Sequence, residues 1–109
     1  LVLGVNGDSS KNGGYNADYV YDGTKFQLGN DADEIVVEVA GVVIDELVFL
    51  DAPDWPDSKG HSVQLAPDQT TDTANDNVVN WCDATITFGA GDFGTPGSEN
   101  PPCAATPLR

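Results

Sequence analysis

The sequence predicts an all-β, mostly antiparallel fold, and three observations carry that expectation. Residues 28–50 hold the densest run of β-branched residues in the chain, with near-alternation of apolar and acidic positions from 33 to 39, the period-2 signature of a half-buried strand. Twelve glycines and seven prolines in 109 residues make turns frequent, which favours many short strands. No stretch carries the 3.6-residue periodicity of an amphipathic helix.

In chain order, residues 1–5 form an apolar run closed by Asn6-Gly7-Asp8, the composition of a buried strand ending in a turn. Residues 9–16 read as a flexible polar loop. Despite Gly13 and Gly14 it is no phosphate cradle, because no helix with a Lys or Ser/Thr in register follows. Residues 18–21 and 26–28 flank the turn Asp22-Gly23-Thr24-Lys25, as two short strands or a strand and an extended edge. Residues 33–39 and 42–50 form a β-hairpin on the connection Ala40-Gly41, with Gly41 supplying the positive φ of a tight turn. Alternation slips at Asp45-Glu46, and a β-bulge there is the expected correction.

Residues 51–60 are too rich in proline and aspartate for a regular element. This loop carries Trp55, an anchor folded over the core or, as the weaker candidate, a surface aromatic for stacking on a sugar ring. Residues 61–66 alternate as a strand with Val63 and Leu65 inward and His61 in the same phase. In the acidic loop 67–77, the oxygens of Asp72, Asn75 and Asp76 suit calcium in kind. Their spacing is not that of an EF-hand and the closing Glu is missing, so a solvated loop is the simpler reading. Residues 78–82 and 84–88 supply the last β-rich segments, 89–100 are an irregular closing segment, and Pro101-Pro102 stop any continuation. One domain is expected over 1–103, with 104–109 as a tail.

Eighteen acids against four basic residues give a net charge of -14, which repels nucleic-acid backbones and anionic membrane surfaces. No apolar run has the length to span a bilayer, so membrane insertion is not expected. Fourteen of the acids are Asp. That bias fits cation binding, a basic partner, or a salty medium that screens self-repulsion. The two cysteines, Cys82 and Cys103, have no closely spaced Cys or His partners of the kind a zinc site requires. A disulfide between them is expected, with an intermolecular bridge as the alternative, and it implies an oxidising compartment. The opening Leu1-Val2-Leu3-Gly4-Val5 reads as strand interior, as if the polypeptide were a piece of something longer.

Several segments carry a family resemblance. The run Leu28-Gly29-Asn30-Asp31-Ala32-Asp33-Glu34-Ile35-Val36, then Val43-Ile44-Asp45-Glu46-Leu47-Val48-Phe49, Trp55-Pro56, Gly60-His61-Ser62-Val63-Gln64-Leu65, Asn80-Trp81 and Gly94-Thr95-Pro96-Gly97-Ser98-Glu99-Asn100 resembles the lamin-tail domain of bacterial secreted and surface proteins. The resemblance spans residues 1–100. It implies an immunoglobulin-like β-sandwich without intrinsic catalysis, an accessory interaction or anchoring module beside exported enzymes. The family's opening strands would lie before Leu1, so they are expected from a separate or clipped chain or from a swapped copy. The net charge of -14 argues against carrying over any DNA contact.

A non-catalytic, extracellular or cell-surface binding module is therefore the leading expectation, with a protein or polysaccharide partner and no cofactor. Its first rival is a calcium-stabilised adhesion or carbohydrate-binding module using Trp55 and the acidic loops. A remote third is a hydrolase pairing His61 with Asp51, Asp54 or Asp57, for which no nucleophile is placed beside His61.

Overall fold

The computed structural model describes residues 1–104; residues 105–109, the bulk of the expected tail, lie outside the described residues. Four two-stranded sheets are formed among the described residues, with no strand shared between them. β1 (Leu3–Gly4) pairs in parallel with β2 (Tyr19–Val20). β3 (Asp33–Val39) and β4 (Val42–Phe49) make the long hairpin, β5 (Val63–Leu65) pairs antiparallel with β6 (Trp81–Asp83), and β7 (Thr87–Phe88) with β8 (Asp92–Phe93). The helical element among the described residues is a single 3-10 turn, Val78–Asn80. The all-β expectation therefore holds at the level of a β-rich chain built largely of small antiparallel sheets.

The hairpin forms where local chemistry places it. Ala40 (φ 51) and Gly41 (φ 78) both occupy the left-handed region, the geometry of the two-residue turn whose twist matches that of the strands it joins. Pairing runs from Asp33↔Phe49 to Val39↔Val42. Between Val37↔Asp45 and Glu38↔Val43 the register shifts, so that Ile44 is the extra residue. The bulge thus falls one position before Asp45-Glu46. Asp45 keeps its register opposite Val37, and its Oδ2 accepts a 2.6 Å hydrogen bond from Asn75 Nδ2.

Other elements depart from the sequence reading. Residues 1–5 are not a buried strand: only Leu3–Gly4 pair, and Leu1 is 97% exposed. Residues 78–80 wind into the 3-10 turn because the Asn77 side chain caps it, accepting from Val79 N at 3.2 Å. The closing segment is more regular than expected. β8 returns on β7 through Gly89-Ala90-Gly91, and Phe93 bridges His61 in parallel. Gly89 (φ 51) lies against the 13–14 loop, where Ala90 N donates to Gly13 O at 3.3 Å and a Cβ on Gly89 would overlap that oxygen.

Asp8 and Asp22 organise two turns the same way. Each Oδ1 accepts from both the backbone N–H and the hydroxyl of the residue two positions on, Ser10 or Thr24. Each pairs with a lysine three positions on, Lys11 or Lys25. These hydroxyl bonds, then the backbone ones, hold both carboxyls below the ordinary aspartate pKa.

Packing is concentrated in residues 55–103. Trp55 and Ala84 are the buried hydrophobic residues, and Gln64 the buried polar one. Trp55 packs on Trp81 with ring centroids 5.6 Å apart, while Trp81 Nε1 donates to Asn75 O at 2.7 Å. The Cys82–Cys103 disulfide forms within the chain. The alternation of β5 is inverted: Gln64 is 5% exposed and Val63 is 41% exposed. The reason lies downstream, where Gln64 Nε2 donates to Pro101 O at 3.1 Å and the segment leading to Cys103 covers that face. Val63, on the other face, looks onto unfilled space.

Total accessible surface is 7915 Å², against roughly 5,800 Å² for a folded monomer of this mass. Large apolar side chains contribute to the exposed surface. Val36, Val37, Val43, Ile44 and Val48 are each about half exposed, on a ribbon that would ordinarily lie against another layer.

Candidate functional site

The site is an apolar seam that the fold leaves open. On one side, the hairpin face carrying Ile35, Leu47 and Phe49 meets Trp55, Val63 and Trp81 around a cavity of about 310 Å³, with Asn30, Asp51 and Asp57 among its polar lining residues. A second, wider cleft of about 550 Å³ is lined by the same Val63 and Trp81 together with Leu3, Tyr15 and Phe88. Two residues thus border both spaces. Volumes of this size are those of ligand pockets, but their walls are the inner faces of short sheets.

Backbone geometry adds to the opening. Ala84 N donates to Ser62 O and Ala66 N to Asn80 O, both at 2.8 Å, so the peptide groups of Val63 and Leu65 turn away from β6. Leu65 O is taken by Asn100 Nδ2 at 3.0 Å, and Asn100 Oδ1 by the Thr95 hydroxyl at 2.6 Å. The Thr95 to Asn100 segment therefore pins the free edge of β5. Gln64 Oε1 has no partner. A single unpaired acceptor of this kind is costly when it stays dry.

A third cleft, about 550 Å³, runs along β4 between Val43, Ile44 and Glu46 and the loop residues Asp72, Thr73 and Asp76. Asp45 also lines it, and Asp45 Oδ1 and Asn75 Oδ1 are buried without hydrogen-bond partners among the described residues. Among the described residues, no group of three or more His, Cys, Asp or Glu side chains is placed to hold a metal ion.

The residues singled out in the sequence fall as follows. Trp55, at 8% exposure, anchors its loop, and its ring borders the 310 Å³ cavity from inside; it offers no face for stacking on a solvent-borne sugar. Cys82 and Cys103 are joined. His61 stacks on Phe93 with centroids 4.0 Å apart, and its Nδ1 lies 2.6 Å from Ala84 O; since a carbonyl only accepts, Nδ1–H donates. None of the hydrogen bonds of His61 goes to Asp51, Asp54 or Asp57. Sequence reasoning gave no role to Gln64 or Asn100, and it picked out Asn75 only as a loop oxygen suited to calcium and not as the partner of Asp45. Each is a lone amide whose partner is 30 or more residues away: Pro101 for Gln64, Leu65 for Asn100 and Asp45 for Asn75.

No protein-family model, curated protein or solved structure matches the chain. The intramolecular disulfide points to folding outside a reducing cytosol. No helix among the described residues is long and apolar enough to cross a membrane.

Proposed function

We propose that this chain is a non-catalytic interaction or anchoring module of an exported protein, working outside the cell or at its surface. In this reading it supplies part of an immunoglobulin-like β-sandwich of the lamin-tail type, and strands from another polypeptide segment or a second copy complete the layers. The observation that carries it is the hairpin, whose valines and isoleucine stand about half exposed while, among the described residues, neither β3 nor β4 has a strand on its other edge. An open edge beside an open apolar face is the arrangement that strand addition satisfies. The seam through Val63 and Trp81 is then the unfilled middle of the sandwich. With Trp55 buried, a protein partner fits better than a polysaccharide.

Sedimentation velocity combined with non-reduced intact mass of every polypeptide in the fraction tests this. The 11.4 kDa chain is expected to travel with a strand-bearing companion or as a dimer. A lone folded monomer that leaves the dye ANS unbound contradicts it, because exposed apolar surface of this extent binds ANS.

A further inference from the structure

We infer that the free edge of β3 takes one extended segment of a partner protein by strand addition, and that the segment carries two basic residues four positions apart with apolar residues between them. The inference rests on the interaction-module reading and names the partner's chemistry. Three observations lead to it.

First, the edge is available. No backbone hydrogen bond reaches residues 34–39 from outside the hairpin among the described residues. The two-residue loop makes Val39 and Val42 the closing hydrogen-bonded pair, so alternate residues, Glu34, Val36 and Glu38, turn their peptide groups outward; the Glu34 N–H donates to Asp33 Oδ1 at 2.9 Å, which leaves the N–H groups of Val36 and Glu38 as the open donors. The β4 edge is less free, because the loop containing Asp72 and Asp76 lies along it and Asn75 bonds Asp45.

Second, the side chains along the β3 edge spell a pattern. Glu34, Val36 and Glu38 share one face, and Ile35 and Val37 the other. A strand laid beside them meets acid, apolar, apolar, apolar, acid in succession. Its complement is basic, apolar, apolar, apolar, basic, in either direction of the incoming strand.

Third, charge selects against self-pairing. A second copy brings another -14 and would set like charges against Glu34 and Glu38, which is how edge strands are kept from pairing with themselves.

The test is an amide-resolved NMR titration with the heptapeptide Thr-Lys-Val-Val-Val-Lys-Thr, its counterpart with both lysines replaced by glutamate, and two isomers N-methylated on alternate amides so that each blocks one edge. The lysine peptide is expected to shift the amides of Glu34, Val36 and Glu38 and to bind about tenfold tighter than the glutamate peptide. One methylated isomer is expected to lose binding and the other to keep it. The double variant Glu34→Lys with Glu38→Lys is expected to reverse the preference.

Equal binding of both methylated isomers overturns strand addition, leaving simple charge attraction. Shifts gathered at Val63 and Trp81 instead overturn the β3 assignment while leaving the interaction-module reading intact. If no peptide binds and the same amides broaden with protein concentration, a second copy covers the edge and the proposed partner is wrong. If no peptide binds and the chain stays monomeric without ANS uptake, both the proposal and the reading beneath it fall.

Discussion

The hairpin of β3 and β4 and the disulfide-bound half from Trp55 to Cys103 are held together by different physics. The hairpin has the longest strands, seven and eight residues, and no residue of it is fully buried. Residues 55–103 contain strands of only two or three residues, yet they hold Trp55, Ala84 and Gln64, all buried. Regular secondary structure in this chain comes from local propensity and a favourable turn; burial comes from side chains and a covalent link reaching across 20 to 40 residues. A two-stranded ribbon without a second layer is marginal in water. The hairpin therefore depends on what covers it, and the disulfide-bound half much less so.

Variants sharpen that contrast. The largest effect is expected at Trp55→Ala, which removes the anchor on Trp81 and should cost about 3 kcal/mol or more, read as a drop in denaturant midpoint. The loss should be registered by Trp81 fluorescence and by β5–β6 amides. Reduction of Cys82–Cys103 should follow, at roughly 3 kcal/mol in the chain-entropy account, again with little change in the hairpin signals. If either change melts the hairpin in step with the rest, the two regions form one cooperative unit and the contrast drawn here fails.

Changes within the hairpin should be smaller and local. Ala40 holds a φ of 51 that costs an alanine about 1 kcal/mol. Ala40→Asn creates the Asn-Gly pair this turn prefers and should stabilise the hairpin by up to about 1 kcal/mol. The check is slower hydrogen exchange in β3 and β4 with an unchanged midpoint for β5–β6. Asp33 gives the smallest effect. Its carboxylate accepts from Gly29 N at 2.7 Å and Glu34 N at 2.9 Å, bonds that hold its pKa below the ordinary aspartate value. A carboxyl depressed in the folded state adds stability that is complete above the unfolded pKa of about 3.9. That contribution is lost as pH falls through the lower folded value. A carboxyl-detected NMR titration should place Asp33 below the ordinary aspartate value, and a midpoint at that value would show that the two bonds do not persist in solution.

How far the sequence carried can be judged residue by residue. The hairpin was readable to within a residue because alternation, the Ala40-Gly41 turn and β-branching are local signals. The disulfide was readable because two cysteines leave one intramolecular pairing. Gln64 was not readable: which face of β5 is covered depends on Pro101, 37 residues on, and no periodicity within 61–66 records it. The bulge was legible in kind but one position off, since its place depends on Asn75 reaching Asp45 across 30 residues. The 3-10 turn at Val78–Asn80 was hidden by its β-branched valines, although Asn77 before it is a good capping residue. Of the open seam, sequence showed the aromatic residues and favoured Trp55 as an inward anchor, as it is, but not the space left open beside it.

The most direct test of the account is amide hydrogen exchange across the whole chain, free and with its partner segment bound. Strong protection is expected for the β5–β6 amides of Gln64 and Cys82 in both states, with rapid exchange at Val36 and Glu38 in the free chain that slows on binding. Equal protection of both regions in the free chain would contradict it, because the hairpin would then be a finished element with no edge left to offer.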